Sequence, residues 1–225
     1  MINRIFWNYW SLFVFGAALQ AQDSPSTQHQ EIHAPHPDAK TYIAMLDDPQ
    51  RESYQKPDQV VAALNVSEGE TVADVGAGSG YFTFRLANAV GKKGRVFAID
   101  INPEMIIHLN RLIRDKRIMN VTTILSVPED PLVPALVDRV FICDTWHHVD
   151  KQTSFLALIK KSLKPGGQVI MIDFQKRSLP VGPPVEMKIA REDLIHQMEA
   201  AGYTLRKEHT FLPYQYFLIF DTRSQ

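Results

Sequence analysis

Glycines at alternate positions form the most informative chemical pattern in this sequence, the run DVGAGSG at residues 74–80. Glycine permits a tight turn and lets a ligand approach the backbone more closely than a side chain would allow. An apolar stretch typical of a buried strand precedes the run. A predicted helix follows it, and the N-terminus of a helix offers unpaired N–H groups to an electron-rich ligand. The pattern predicts a nucleotide-type site at the end of the first strand.

A carboxylate stands at a spacing that suits the same ligand. Asp100 ends the next predicted strand, 20 residues beyond Gly80. An acid at this place can accept hydrogen bonds from both ribose hydroxyls of a nucleoside. The alternative is that Asp100 caps the next helix. That role suits Asn102 better, because Pro103 follows it at the first helical position.

Two histidines follow the fourth predicted strand and are candidate general bases. His147 and His148 lie in the loop 144–150, with Asp144 as a polar partner. The end of the fourth strand meets the end of the first at the switch point of an open α/β sheet, so this loop should lie beside the glycines. A base is needed only where the substrate holds its proton near neutral pH. The alternative for His148 is packing or bonding to the next helix.

Alternating strands and helices must position these groups, which predicts an α/β fold with a mostly parallel sheet. We expect helices near 82–90, 153–163 and 191–201, and a breaker turn at 163–167. Residues 175–186 contain three prolines and are predicted to form a substrate lid or a plain connector. Trp146 and this loop are predicted to wall a substrate pocket. The predicted strands are 71–75, 95–99, 121–125, 138–143, 168–174, 204–211 and 214–220, the last two an antiparallel pair.

The run at 74–80 resembles the signature loop of class I S-adenosylmethionine-dependent methyltransferases. The run DINPEM at 100–105 resembles their second motif, and LKPGG at 163–167 resembles the entry to their fifth strand. The segment after strand four is similar to that of small-molecule methyltransferases distantly like the ubiquinone-biosynthesis C-methyltransferases. The resemblance covers roughly residues 50–221. It implies a three-layer Rossmann-like fold with a seven-stranded, mostly parallel sheet and an antiparallel C-terminal strand.

The resemblance also implies a cofactor, S-adenosylmethionine, and roles for particular residues. Asp74 would orient the loop and meet the cationic amino-acid end of the cofactor, and Ile101 would pack on adenine. Glu129 or Asp130 would lie near the adenine amino group, with a surface loop charge as the alternative for either. The implied cofactor-binding set is Asp74, Gly76, Ala77, Gly78, Gly80, Asp100, Ile101, Glu129, Asp130 and Asp144. The implied reaction is methyl transfer to a small-molecule acceptor.

Two other functions compete with this interpretation. An NAD(P)-dependent oxidoreductase also has an acid about 20 residues beyond its glycine loop. Here, however, the third glycine falls one place early, and Tyr81 occupies the slot that the dinucleotide fingerprint gives to glycine. Asp74 would also repel a pyrophosphate. The second alternative is an exported binding protein that keeps the fold without the activity, because fold does not imply function.

Composition excludes several classes of partner. The chain has 225 residues, with 24 Lys and Arg against 25 Asp and Glu. This balance gives no electrostatic reason to expect nucleic acid as a partner. Cys143 is the only cysteine, which excludes an internal disulfide and a multi-cysteine metal site, and we expect no metal.

The N-terminal residues 1–21 have the pattern of a secretory signal peptide: a short positive start, an apolar run and small residues before a cleavage site after Ala21. The apolar run is shorter than the ~20 residues that span a bilayer, which makes a membrane anchor the lesser alternative. We expect residues 22–40 to be a flexible linker and residues 41–225 to be the methyltransferase domain. The mature protein would then be exported, with no membrane contact.

Overall fold

The computed structural model describes residues 38–223, so the predicted signal peptide and most of the predicted linker lie outside the described residues. The described chain forms a seven-stranded sheet. Its strands are β1 (Thr71–Val75), β2 (Arg95–Asp100), β3 (Val121–Leu125), β4 (Val137–Cys143), β5 (Leu163–Phe174), β6 (Tyr203–His209) and β7 (Gln215–Thr222). The helices are α1 (Ala39–Leu46), α2 (Arg51–Gln55), α3 (Pro57–Leu64), α4 (Thr83–Val90), α5 (Pro103–Asp115), α6 (Gln152–Ser162) and α7 (Arg191–Ala200).

The strands follow the order β3-β2-β1-β4-β5-β7-β6. β1 to β5 are mutually parallel, and β7 runs antiparallel to both β5 and β6. This arrangement confirms the predicted fold class. The order reverses at β1 and β4, and open α/β sheets bind ligands in the crevice at such a point.

Apolar side chains fill both faces of the sheet. One buried cluster includes Ile142, Trp146 and Met171, together with apolar residues of α6 and α7. The other includes Phe141 and Ile172, together with residues of α3, α4 and α5. The central strands are therefore covered on both sides, which explains why β5 is almost continuously apolar from residue 169 to 174.

The start of β5 differs from the predicted breaker turn at residues 163–167. Leu163 pairs with Val137 of β4, and the register shifts before Arg139 pairs with Gln168. Gly166 has a positive φ of 75°, so the chain does bend there. The bend that the glycines predict is therefore present, but pairing with β4 continues the strand through it.

Candidate functional site

The glycine loop between β1 and α4 is tied to the end of β2. Gly76 N and Ala77 N donate hydrogen bonds to Ile99 O at 2.8 and 3.0 Å. Gly76 has a φ of +78°, and a Cβ added there would lie 2.8 Å from the Cβ of Thr145 and closer still to its Oγ1. Because the loop after β4 approaches so closely, only glycine fits at this position.

Asp100 connects the glycine loop to the start of α5. Its Oδ2 accepts a hydrogen bond from Gly78 N, and its Oδ1 accepts one from Asn102 N, both at 2.8 Å. Asn102 caps α5 by accepting from Glu104 N, with Pro103 at the first helical position, as the sequence predicts. Burial raises the pKa of Asp100 in spite of these N–H donors. Each carboxylate oxygen keeps a lone pair for a further donor.

Large apolar side chains are exposed beside Asp100. Ile101 is 56% exposed, Leu125 at the end of β3 is 50% exposed, and Val127 is 45% exposed. Exposed aliphatic groups next to a carboxylate and a glycine loop fit the parts of a nucleoside, which has an apolar base and a hydroxylated sugar. The residues present therefore fit S-adenosylmethionine.

The two acids after β3 are placed differently. Glu129 is exposed and lies 3.7 Å from Lys151 Nζ. Asp130 accepts a hydrogen bond from Leu132 N at 2.8 Å, and its backbone bridges to Val127. Both lie in the loop that carries the exposed Val127, and the role of either near adenine stays a prediction.

Asp74 is buried at the end of β1, beneath the glycine loop. The residue is only 3% exposed, and its Oδ2 accepts a hydrogen bond from Thr83 Oγ1 at 2.6 Å. Burial raises the pKa of Asp74 to about 7, with a further contribution from Asp100, and the Thr83 hydrogen bond only partly opposes this. Asp74 therefore carries a proton for part of the time near neutral pH.

The segment before the core contacts both loops. Asp47 accepts a hydrogen bond from Ser79 Oγ at 2.6 Å, and the Arg51 guanidinium lies 4.1 Å from the Tyr81 ring centroid. Gln55 is fully buried and donates to Asp144 Oδ2 at 3.0 Å. Asp47 and Arg51 were not predicted from the sequence, since no local pattern marks either residue.

Asp144 lies directly after β4, in the left-handed conformation with a φ of 53°. Its carboxylate accepts from Gln55 on one oxygen and from Gln215 Nε2, at 2.6 Å, on the other. Burial, and then the nearby Asp173 carboxylate, raise the pKa of Asp144 to about 6. Asp144 thereby joins α2, β4 and β7 at the crevice.

His147 is paired with a carboxylate that sequence reasoning missed. Its Nδ1 lies 2.9 and 3.0 Å from the two oxygens of Asp173, and its backbone N donates to Oδ2 at 3.3 Å. The two side chains are only 3% and 1% exposed. The available signal was a lone charge in the apolar run of β5. His148 is exposed, and its ring centroid lies 4.2 Å from that of His147.

The predicted role of Trp146 as a pocket wall is wrong. Trp146 is 1% exposed and packs in the core against Phe155, and its Nε1 donates to Gln197 Oε1 at 3.3 Å. The predicted loop 175–186 is part of a longer loop, residues 175–190, that joins β5 to α7. A cavity of about 520 Å³ is lined by Gln197 and by both ends of this 175–190 loop. The loop therefore borders a cavity as expected, but α7 takes the place of Trp146.

This combination of a switch-point crevice, a glycine loop and a strand-two carboxylate defines a nucleoside-cofactor-binding α/β protein. A family model described as a methyltransferase domain matches residues 66–209. The chain belongs to this family. At the level of the family, this confirms the predicted methyltransferase class.

Two relatives with similar sequences agree with this assignment. The ubiquinone/menaquinone biosynthesis C-methyltransferase UbiE of Burkholderia mallei (strain SAVP1) is 31% identical over 117 residues, 52% of this chain. The match spans 48% of that protein, so the chain spans about half the length of the curated relatives it matches. A SAM-dependent methyltransferase from Aquifex aeolicus is 28% identical, with a TM-score of 0.77 over 83% of this chain and 100% of the other.

A third protein shows the fold alone. The Burkholderia thailandensis 1,6-didemethyltoxoflavin-N1-methyltransferase superposes with a TM-score of 0.61 at 19% identity, over 82% of this chain and 85% of the other. Its crystal structure holds 1,6-didemethyltoxoflavin and S-adenosylhomocysteine.

Proposed function

We propose that this protein transfers a methyl group from S-adenosylmethionine to a small-molecule acceptor. The observation that carries the proposal is Asp100, a half-buried carboxylate held by Gly78 N next to the exposed side chain of Ile101. The bound cofactor supplies a methyl group already activated by a sulfonium. Positioning and exclusion of water by the protein can then provide most of the rate.

His147 is the proposed base when the acceptor must lose a proton. In the neutral ring, donation from Nδ1 to Asp173 leaves Nε2 as the acceptor nitrogen. The ring hydrogen bonds found in the described part of the chain all run through Nδ1, so Nε2 is the atom that can take a proton. His148 is exposed beside that base, at the end of the 3-10 helix Trp146–His148, and is proposed as a second candidate base.

Calorimetric titration with S-adenosylmethionine tests the cofactor site. Asp100→Ala should weaken binding at least about a hundredfold, because a charged acceptor of two hydroxyl hydrogen bonds is lost at about 1.5–3 kcal/mol each. Circular dichroism should show an unchanged fold. The control Asp115→Ala, an exposed acid at the far end of α5, should bind as the wild type does. Equal affinity of Asp100→Ala and wild type would refute the ribose assignment.

The titration also separates the alternatives. Binding of NAD(P) in place of S-adenosylmethionine would support the oxidoreductase, and cofactor binding without transfer to any acceptor would support the binding protein.

We also propose export through the N-terminal segment, supported by its three-part pattern. The mass of the mature protein tests cleavage after Ala21. No helix in residues 38–223 has the length and apolar character needed to cross a bilayer.

A further inference from the structure

The cavity of about 520 Å³, here called the loop cavity, lies between the 175–190 loop and the first turns of α7. Gln197 in its wall holds the Trp146 indole, and Trp146 directly precedes the proposed base His147. Lys176, also in the wall, follows Asp173 by three residues. Two wall residues are thus linked to the His147–Asp173 pair along the chain, Gln197 through its contact with Trp146 and Lys176 through its position after Asp173.

Lys188 is an unusual member of that wall because it is charged and only 3% exposed. Its Nζ donates to Arg177 O at 2.9 Å and lies 5.9 Å from the Phe174 ring centroid. Within residues 38–223, no carboxylate lies within ion-pair distance of this ammonium. A buried lysine is rare unless it is paired, and an ammonium has three N–H donors. One carbonyl and one ring face leave its charge uncompensated.

The other charged side chains of the loop cavity are exposed to solvent. Lys176 is an exposed cation, and Glu186 and Asp193 are exposed carboxylates. Hydrated carboxylates interact weakly with a single anion, but they would repel a multiply charged one. The charge pattern therefore favours one negative charge, placed at Lys188.

We propose that Lys188 binds the carboxylate of a small monocarboxylic acid in the loop cavity, and that this acid is the methyl acceptor. The second part rests on the proposed methyltransferase function. A carboxylate completes the hydrogen bonds of the ammonium, and the rest of the molecule extends toward His147. The competing explanation is that Lys188 only ties Arg177 to the end of the loop. It predicts that removing the lysine costs stability and that small acids have no effect.

The test uses two probes of equal shape on the full chain, 4-fluorobenzoate and 4-fluorobenzamide, observed by ¹⁹F NMR relaxation. Wild type should bind the benzoate at least about tenfold more tightly than the neutral amide, which corresponds to one charge-assisted pair. Lys188→Met should lose this preference and should melt at the same or a higher temperature in probe-free buffer, because an uncompensated buried charge has been removed. Lys188→Arg should keep part of the preference.

Lys93→Met is the matched control for net charge, since Lys93 is exposed in the turn before β2, away from the loop cavity. It should bind the benzoate as wild type does. The proposal is overturned if wild type binds neither probe or both equally. It is also overturned if Lys188→Met keeps its benzoate affinity and melts at a lower temperature.

The cofactor titration distinguishes this failure from failure of the proposed function. Cofactor binding without benzoate binding removes only the acceptor assignment. Benzoate binding without cofactor binding removes the methyltransferase function and leaves the carboxylate site at Lys188.

Discussion

Burial of Asp74 makes the stability of this protein depend on pH in a direction that can be measured. Burial raises the pKa of this carboxyl from 3.8 to about 7, with a smaller rise from Asp100, and the Thr83 hydrogen bond opposes the change. A carboxyl with a higher pKa in the folded state binds more protons folded than unfolded between those two values. The free energy of unfolding therefore falls as the pH rises from about 4 to about 7 and is level above that range.

Asp74→Asn keeps the shape of the side chain and removes the ionisation. A shift of about 3 pKa units corresponds to about 4 kcal/mol that the wild type loses by pH 8, at about 1.4 kcal/mol per unit. The amide adds an offset that does not vary with pH. The stability of Asp74→Asn relative to wild type should therefore increase by about 2.5 kcal/mol between pH 5 and pH 8. Urea unfolding of both proteins at each pH measures this difference, and the titrating groups that do not interact with residue 74 cancel.

Asp138→Asn is a control of the opposite sign. Burial acts to raise the pKa of Asp138, but hydrogen bonds from Lys164 and Thr71 N outweigh it and hold the pKa below 3.8. Its stabilising contribution is complete above that value and is lost only as the pH falls through the folded pKa. The difference between Asp138→Asn and wild type should stay level from pH 5 to pH 8. A level difference for Asp74→Asn as well would refute the assignment of a raised pKa to buried Asp74.

Two further predictions concern the loop after β4. In urea titrations, the free energy of unfolding of Gly76→Ala should be about 1–3 kcal/mol lower than that of Gly69→Ala. Both glycines have a positive φ, but only at Gly76 would the new Cβ overlap Thr145. An equal loss of stability in the two variants would refute the steric conflict with Thr145. In long-range ¹H–¹⁵N spectra, neutral His147 should carry its proton on Nδ1, and Asp173→Asn should mix the two tautomers, because it removes the charge that favours Nδ1–H. A wild-type proton on Nε2 would exclude the proposed base.

The grouping of Asp74, the glycine loop and Asp100 could be predicted because their contacts are close in sequence. Thr83 hydrogen-bonds Asp74 from nine residues away, and Gly78 reaches Asp100 across 22. A strand, a turn and a helix of ordinary length fix those distances, so residue spacing alone places the groups. The same argument explains why Asn102 is correctly predicted as the helix cap.

The residues that were predicted wrongly or overlooked are buried ones. Trp146 was expected at a pocket wall, yet it lies in the core, where Gln197 accepts a hydrogen bond from its N–H. Asp173 was overlooked inside an apolar strand, and Lys188 inside a proline-rich loop. In each case the residue type was visible, but its environment depended on elements that pack from elsewhere in the chain.

The surroundings of Asp144, in contrast, cannot be predicted from residue spacing. Asp144 is held by Gln55, 89 residues earlier, and by Gln215, 71 residues later. Its neighbour Asp173 comes from another strand, β5. Four separate segments must fold before any of these groups meet. No local motif can encode such a set, so the acceptor site proposed here rests on burial and on charges such as that of Lys188.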